Sequence, residues 1–347
     1  MTRVPAGSLA GYLERLYLAA GMTAGDAAVM AAAHVEADLR GIPGHGCRLV
    51  PSYLGKLRDG RLSPRPRITP VHEAGACLVL DAGLAPGPVA ARRAVDAGIR
   101  LARSHGSGLV IARRAGHAGA LGVAATRAAG QGLAVVLAAP ASSASVALLG
   151  GTGTPLLGNS ALAVALPGPR PGQPVVLDMA ASSMSWGQVH QRARTGQNLP
   201  AGCALDAAGQ PARAPREAAV LLPAGQRGQA AAIVLQALLS ALAGTAPLPD
   251  GTEGRGLLCL AFDPAVLGAG GPAAVTEAIS RAVRGQGARM PGDRAWAHRA
   301  AALRDGIELD DADLAALTAA GQPAVPAPPE WTTQPAQPIT TAKETLP

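Results

Sequence analysis

Two histidines lie in glycine-rich segments whose composition suits proton transfer. His45 lies between Gly44 and Gly46, and His117 follows Gly116. Small neighbours leave an imidazole open to a substrate, and an unperturbed pKa of about 6.5 lets the ring exchange a proton at neutral pH. His45 is therefore a candidate acid or base. The same spacing also fits a histidine in a solvated turn, and the local sequence leaves both interpretations open.

The segment around His117 has the sequence Gly-His-Ala-Gly-Ala and lies between a predicted strand and a predicted helix start. Free backbone N–H groups and the helix dipole favour an anion at such a position. The segment is thus a candidate phosphate or carboxylate site. A helix-capping loop is the alternative interpretation.

Other charged side chains suit ligand binding less specifically. Asp178 ends an apolar run, a position where ligand sites concentrate in α/β sheets. Capping of the next turn explains it equally well. The pairs Arg113 with Arg114 and Arg289 with Arg294 could hold a phosphate or a carboxylate through two N–H groups. Each arginine alone fits solvated surface.

The composition excludes several classes of protein. The formal net charge is +7, but the basic residues are scattered and aromatic residues make up 2% of the chain, which argues against nucleic-acid binding. A small anionic substrate explains the charge better. The four cysteines are widely spaced without a Cys-x-x-Cys pair, which argues against a structural zinc site and a disulfide framework. No metal is expected.

The apolar runs are too short for a membrane span. The longest, residues 230–243, contains Gln236 and Ser240, so no transmembrane helix is predicted. The N-terminus shows no basic stretch followed by an apolar core and a cleavage site. A cytoplasmic location is therefore expected.

Alternating strand and helix patterns in the middle of the chain predict an α/β fold. The predicted strands are 77–81, 108–112, 133–139, 161–166, 174–178 and 256–262, and the predicted helices are 24–40, 53–57, 89–103, 120–129, 229–242, 272–284 and 310–319. The helix over 229–242 is apolar on nearly all sides and is expected to be interior. No Gly-x-Gly-x-x-Gly lies between a strand and a helix, so an ordinary Rossmann fold lacks its signature.

The length of 347 residues favours two lobes. A mainly helical lobe is expected from residues 1–70 and about 285–321, and a mixed α/β lobe for cofactor and substrate from 71–284. The segment 322–347 is rich in Pro, Thr and Gln and is predicted to be a disordered tail.

An ordered series of segments resembles the type-2 malate/L-lactate dehydrogenase family, which includes ureidoglycolate and sulfolactate dehydrogenases and Δ1-piperideine-2-carboxylate reductase. The series runs through Ala37-Asp38-Leu39-Arg40-Gly41 with His45-Gly46, Leu80-Asp81, Gly116-His117-Ala118-Gly119-Ala120, Gly150-Gly151, Leu177-Asp178-Met179-Ala180, Met290-Pro291-Gly292-Asp293-Arg294 and Arg304-Asp305-Gly306-Ile307. The resemblance implies a non-Rossmann fold, usually as a homodimer, that binds NAD or NADP. It also implies hydride transfer between nicotinamide and a 2-oxo acid, a 2-hydroxy acid or a cyclic imino acid.

The resemblance also assigns roles to residues. His45 or His117 would exchange the proton, and Arg48 and Asn159 would contact the substrate. The cofactor would be bound by His117, Ala118, Gly119, Ala120, Leu121, Asp178, Met179, Ala180, Arg227, Arg289, Pro291 and Arg294.

Several positions depart from the family pattern. Gly44 replaces a serine that helps to polarise the imidazole, and Gln188 replaces a Lys or Asp. The arginine expected four residues after the histidine is Leu49, with Arg48 displaced by one. Two hypotheses follow. The chain is an active reductase with altered preference, tilted toward an imino or oxo acid, or it is a divergent member that binds or acts without hydride transfer.

Overall fold

The computed structural model of the chain describes residues 2–268, 271–328 and 331. Within them the chain forms ten α-helices and eleven β-strands. The helices are α1 Ala6–Ala19, α2 Ala24–Leu39, α3 Val50–Arg58, α4 Gly87–His105, α5 Leu121–Ala129, α6 Trp186–Arg194, α7 Gly225–Ala243, α8 Pro272–Gly285, α9 Asp293–Asp305 and α10 Asp311–Gly321. The strands are β1 Thr2–Val4, β2 Thr69–Ala74, β3 Cys77–Asp81, β4 Ser107–Arg113, β5 Ala134–Ala139, β6 Ala161–Arg170, β7 Gln173–Ala180, β8 Ala204–Leu205, β9 Val220–Leu221, β10 Leu257–Phe262 and β11 Ile307–Leu309.

A seven-stranded sheet forms the centre of the fold, with the order β2-β3-β4-β10-β5-β6-β7. β3 and β4 pair in parallel, joined by α4, and the other neighbours pair antiparallel. A doubly wound Rossmann sheet is parallel throughout, so this sheet is of a different kind. The predicted α/β fold with a mixed, non-Rossmann sheet is confirmed.

Glycines let α4 lie close against the sheet. A Cβ on Gly98 would lie 3.0 Å from Cys259 Sγ of β10, and one on Gly108 of β4 would lie 2.6 Å from the Gly98 carbonyl oxygen. Alanine is the commonest residue on the buried face of the helix, for example at Ala91, Ala94 and Ala102. α7 covers the opposite face of the sheet, where Leu239 and Ala243 pack on Ile111, Ala138 and Leu258.

The first and the last strand of the described chain meet among the helices. β1 pairs with β11, and α10 packs on α3 and on the 3-10 turn Cys47–Leu49. α2 lies between this helical part and the sheet, because it contacts α1, α4, α5 and α9. One continuous hydrophobic core includes side chains from the helices and from the sheet. The division into a helical lobe and a mixed lobe stays a prediction.

Three helices lie outside the predicted elements: α1, α6 and α9. α1 does carry a signal, because Leu9, Leu13 and Leu16 repeat at helical spacing and are buried. α6 has no such signal, since Val189 is its one buried residue. Short polar helices of this kind are stabilised by their caps and contacts.

Two expectations need correction. α7 is not interior on all sides: its Ile233, Val234 and Leu238 are exposed, while the polar Gln236 and Ser240 are buried and bonded to each other at 3.0 Å. The predicted disordered tail lies mostly outside the described residues, but its beginning is packed. Val325 is buried in the core, and the Trp331 ring meets the Tyr12 ring edge-on at 4.7 Å. None of the described helices is both long and apolar enough to cross a bilayer.

Candidate active site

His45 lies in a short 3-10 turn that directly follows α2 and is held by side chains of that helix. Asp38 accepts a hydrogen bond from the Cys47 amide at 2.8 Å. His34 Nδ1 donates to the carbonyl oxygen of His45 at 3.2 Å. Gly46 leaves room for Asp38, since a Cβ at residue 46 would lie 1.8 Å from the Asp38 Oδ1. α2 thus fixes the backbone that carries His45.

The groups behind this turn are buried and polar. The Tyr17 hydroxyl donates to His34 Nε2 at 2.8 Å, so both ring nitrogens of His34 are satisfied by neighbours. Burial lowers the pKa of His34 to about 4. Burial also raises the pKa of the Asp38 carboxyl to about 7, against the opposing effect of the Cys47 hydrogen bonds. His34 is therefore neutral at pH 7, because a charge there would be poorly solvated.

His117 is oriented by Tyr53 of α3. The Tyr53 hydroxyl donates its proton to the His117 carbonyl oxygen at 2.6 Å. The Tyr53 oxygen also lies 2.9 Å from His117 Nδ1. The Gly119 amide N–H also lies 3.4 Å from Nδ1 and needs this nitrogen unprotonated, whereas the Tyr53 oxygen, whose proton goes to the carbonyl, needs it protonated. The shorter contact is the one with Tyr53, which favours a neutral ring with its proton on Nδ1 and with Nε2 as an acceptor.

The fold brings His45 and His117 side by side, with ring centroids 5.6 Å apart. Enclosure by the protein lowers the pKa of His117 well below its usual range, and the neighbouring His45 and Lys56 lower it further. Desolvation likewise lowers the pKa of His45, partly offset by the charge of Asp178. Both imidazoles are consequently neutral at pH 7.

The two side chains expected to assist His45 are missing for a structural reason. Gly44 lies against Gly187 at the start of α6, and a Cβ on Gly44 would lie 3.0 Å from the Gly187 Cα. Gln188 caps α6 instead of facing the imidazole, because its side chain accepts from the Ser185 amide at 2.8 Å. His45 Nδ1 is buried and has no hydrogen-bond partner among the described residues.

Asp178 connects the end of β7 to the first turn of α5. Its Oδ2 accepts a hydrogen bond from the Gly122 amide at 2.8 Å. A Cβ on Gly122 would lie 2.7 Å from the same oxygen, so this approach requires glycine. The carboxylate satisfies an N–H group that the helix leaves free, which stabilises the helix start. Asp178 thus caps the start of α5 and not the next turn of its own segment, and its charge acts on His45. Cofactor binding by Asp178 stays a prediction.

Two cavities meet at His45. The larger, of about 610 Å³, and the smaller, of about 260 Å³, share His45, Ala118 and Gly119 in their walls. Six more of the residues to which the resemblance gives a site role line one of these cavities. The larger cavity is lined by Arg48, His117, Leu121, Asn159 and Ala180, and the smaller one by Ala120.

Arg48 lines the larger cavity, but its guanidinium is held by protein groups. Nε donates to Asp313 Oδ2 at 2.8 Å, a second nitrogen to Gln191 at 2.5 Å, and the third to Asp310 at 3.4 Å. Asn159 is partly used as well, since its side-chain oxygen accepts from the Ser182 amide at 3.0 Å. Substrate contact by these two residues stays a prediction.

The remaining predicted cofactor residues are not brought to His45 by the described chain. These residues line neither cavity: Met179, Arg227, Arg289, Pro291 and Arg294. Met179 is exposed on the edge strand β7, and the carbonyl of Pro291 accepts from the Val176 amide of that strand at 3.4 Å.

The pair Arg113 and Arg114 also lies away from the cavities. Arg114 pairs with Asp81 at 3.3 Å, and Arg113 donates to the Leu242 carbonyl at 3.5 Å. Neither side chain lines a cavity with His45. That this pair holds a phosphate or a carboxylate stays a prediction.

Several side chains at the site were not singled out from the sequence. Tyr53 lies on a predicted helix but had no motif. Trp186, His190 and Arg194 line the larger cavity from one face of α6. Their spacing of four residues was a signal, because such residues share one face of a helix.

Within the described residues no group of His, Cys, Asp and Glu side chains could hold a metal ion.

The sequence of this chain matches a known protein family over most of its length. The sequence model described as malate/L-lactate dehydrogenase matches residues 4–318. The chain belongs to the malate/L-lactate dehydrogenase family. The resemblance carried by the ordered segments is therefore confirmed.

Relatives in the malate/L-lactate dehydrogenase family have several activities. The L-sulfolactate dehydrogenase of Methanocaldococcus jannaschii is 33% identical over 225 residues, which are 63% of this chain and 63% of that enzyme. The Δ1-pyrroline-2-carboxylate/Δ1-piperideine-2-carboxylate reductase of Pseudomonas syringae pv. tomato is 32% identical over 323 residues, or 88% of this chain and 92% of that enzyme. The crystal structure of a dehydrogenase from Sinorhizobium meliloti matches with a TM-score of 0.84 at 31% identity, and the match covers 92% of this chain and 98% of that one.

Proposed function

We propose that this chain is an NAD(P)-dependent oxidoreductase that transfers hydride between nicotinamide and a small acid. The acid is a 2-oxo or 2-hydroxy acid, or a cyclic imino acid. The observation that carries the proposal is the pair of neutral imidazoles, His45 and His117, beside the junction of two cavities. Family membership supports it, because relatives bear the names of dehydrogenases and reductases of such acids.

A nicotinamide cofactor fits the junction of the cavities. His45 Nδ1 is a buried polar atom without a partner among the described residues. Gly119 has a left-handed φ of 69°, which favours glycine, so no side chain at this position occupies the junction. The smaller cavity has mostly apolar walls, and its charged lining side chains are Glu36 and two arginines, Arg92 and Arg127, that are both paired with Asp96. We assign Ala118 and Gly119 as the residues that hold the cofactor between the two spaces. When bound, NAD or NADP supplies or accepts the hydride.

His45 acts as the proton acceptor when a hydroxyl is oxidised. Its lowered pKa keeps the ring neutral at pH 7, which suits a base and makes the ring a poor acid. Reduction of a carbonyl needs a proton on oxygen, whereas a protonated cyclic imine accepts hydride without a further donor. The absence of a serine at Gly44 weakens His45 as an acid still more. The site therefore favours a cyclic imino acid over a 2-oxo acid.

His117 is suited to orient such a substrate. With its proton on Nδ1, the tautomer that the shorter Tyr53 contact favours, the ring accepts a hydrogen bond at Nε2. A protonated imine nitrogen offers the matching N–H donor. A neutral acceptor beside this cation stabilises it without neutralising it, so His117 supports the same substrate class.

We also propose a homodimer. α7 exposes an apolar face, and Val234 at its centre is 63% exposed. Exposed apolar faces of this kind are common at subunit interfaces. Val234→Asp should shift the protein from dimer to monomer in light scattering, whereas Arg281→Asp on the exposed face of α8 should not; a dimer that survives the first substitution contradicts this interface.

We propose that the protein works in the cytoplasm. All four cysteines are unpaired thiols, and Cys47, Cys203 and Cys259 are buried. Unpaired thiols are typical of a reducing compartment. Fractionation of cells that produce the chain should place it with cytoplasmic markers, and recovery with another fraction would contradict the proposal.

The function is tested by titrating the protein with NADH and NADPH and then measuring oxidation of the better cofactor. Δ1-Piperideine-2-carboxylate, pyruvate and oxaloacetate serve as substrates. His45→Asn should lower reduction of the oxo acids by about two to four powers of ten, with a smaller effect on the imine and unchanged cofactor affinity. His72→Asn on the exposed strand β2 is the matched control. Lack of saturable binding at millimolar cofactor would overturn the proposal.

A further inference from the structure

The larger cavity has an apolar side chain where the family pattern expects an arginine. Leu49, four residues after His45, lies in its wall. The neighbouring Arg48 has all three guanidinium nitrogens bonded to Asp313, Gln191 and Asp310, and its side chain is 17% exposed. A substrate anion would have to compete with two carboxylates for this guanidinium. Arg48 is thus a structural link between the His45 turn, α6 and α10.

α6 supplies a second arginine to the same cavity. Arg194 uses one nitrogen, Nη1, to contact Asp310 at 2.8 Å and Asp313 at 2.6 Å. Its Nε and Nη2 have no hydrogen-bond partner among the described residues, and its side chain is 39% exposed. These two nitrogens form the edge of the guanidinium that binds a carboxylate through two parallel hydrogen bonds.

One face of α6 forms part of the wall of the larger cavity. Trp186, His190 and Arg194 are spaced by four residues and all line the cavity. The ring centroids of Trp186 and His190 are 6.1 Å apart. The helix begins beside the His45 turn, because the backbones of Gly187 and Gly44 touch. Arg194 lies seven residues after Gly187, about 10 Å further along the helix, and its side chain lines the same cavity as His45.

We infer that Arg194 binds the anionic group of the substrate, with His190 as a second polar contact, in place of the arginine that the family pattern expects on the His45 turn. This inference rests on the proposed function only for the class of ligand, a small carboxylate. Asp310 and Asp313 hold Nη1 of Arg194, which leaves its Nε and Nη2 for a ligand in the cavity that the side chain lines. α6 is consequently the element that determines which acids the site accepts.

Calorimetric titration with two probes of one shape tests the inference without turnover. Pyrrole-2-carboxylate is a planar carboxylate that cannot accept hydride, and pyrrole-2-carboxamide is its uncharged counterpart. The wild-type protein should bind the carboxylate more tightly. Arg194→Gln should weaken carboxylate binding by about tenfold to a hundredfold, as expected for loss of hydrogen bonds to a charged group, and should leave binding of the carboxamide unchanged.

Three further variants make the result specific. Arg194→Lys keeps a positive charge near Asp313 but lacks the pair of N–H groups that binds a carboxylate. This variant should therefore fold and bind the carboxylate with intermediate affinity. Arg192→Gln is the matched control on α6, since Arg192 donates to the Asn198 carbonyl and lines neither cavity. Arg48→Gln should lower the melting temperature and keep the preference for the carboxylate.

The outcomes separate this inference from the proposed function. Retained preference for the carboxylate in both Arg194 variants would overturn the inference, as would its loss in Arg48→Gln or equal binding of the two probes by the wild type. Arg194-dependent binding without any oxidation of NADH or NADPH would support the inference while contradicting the proposed function. Turnover with an unchanged KM in Arg194→Gln would support the proposed function and contradict the inference.

Discussion

Gly44 and Gly187 touch through their backbones: a Cβ on Gly44 would lie 3.0 Å from the Gly187 Cα, and a Cβ on Gly187 would lie 2.8 Å from the Gly44 Cα. Real Cβ atoms avoid the second distance and rarely adopt the first. The contact joins the His45 turn to the start of α6. The lack of a side chain at residue 44 thus allows these two segments to lie close together.

Side chains at residue 44 should therefore destabilise the protein. Gly44→Ala and Gly44→Ser are expected to lower the free energy of unfolding by about 1–3 kcal/mol, the usual cost of overpacking, and Gly44→Ser should not increase turnover. Gly7→Ala is the matched control, because a Cβ at Gly7 meets no atom within 4 Å and alanine favours a helix. Urea unfolding measures the difference. A gain in activity for Gly44→Ser would show that the contact opens easily.

Tyr53 is expected to act as a positioning residue for His117. Tyr53→Phe removes the hydroxyl that lies against His117 Nδ1 and donates to the His117 carbonyl, and it leaves the Gly119 amide beside Nδ1, so part of the ring population should move its proton to Nε2. We expect turnover to fall by about one to two powers of ten, within the range for general acid-base assistance. In ¹⁵N NMR, wild-type His117 should show a protonated Nδ1 and a bare Nε2, and the variant a mixture.

Tyr12→Phe controls for the loss of a buried hydroxyl away from the site, because the Tyr12 hydroxyl bonds to the Leu317 carbonyl at 3.2 Å. The Tyr12 variant should keep the His117 signal of the wild type. An unchanged tautomer in Tyr53→Phe would contradict the positioning role.

Asp38 should make stability depend on pH in an unusual direction. Its pKa is about 7 in the folded protein and 3.8 in the reference state, so the folded protein binds the extra proton between these values. The free energy of unfolding from this group therefore falls as pH rises from about 4 to 7. At about 1.4 kcal/mol per pKa unit, the full effect is on the order of 4 kcal/mol.

Asp38→Asn should remove this slope, because the amide keeps an oxygen for the Cys47 N–H and cannot ionise. Thermal unfolding of wild type and variant between pH 5 and 8 measures it, with Asp59→Asn at the exposed end of α3 as the control. The stability of Asp38→Asn relative to wild type should increase with pH. A constant difference would show that Asp38 is ionised throughout.

Much of the fold follows from local sequence. The strand over 77–81 has the predicted bounds, and α4 and α8 extend the predicted helices by only a few residues. Apolar periodicity is a local property that reflects which face of an element is buried. α6 shows the limit of this signal, since its place is fixed by a Ser185 cap and a glycine contact instead of an apolar face.

The sequence by itself identified the family, the mixed α/β class, and His45 and His117 as the residues to examine, because ordered motifs and periodic patterns are carried by neighbours along the chain. Only the tertiary structure decided that the two rings meet, that Tyr53 contacts His117 Nδ1, and that Arg48 is bonded to α10 while Arg194 keeps two nitrogens without a partner among the described residues. These contacts join distant segments. Their geometry depends on how whole elements pack, which no local pattern of residue types contains.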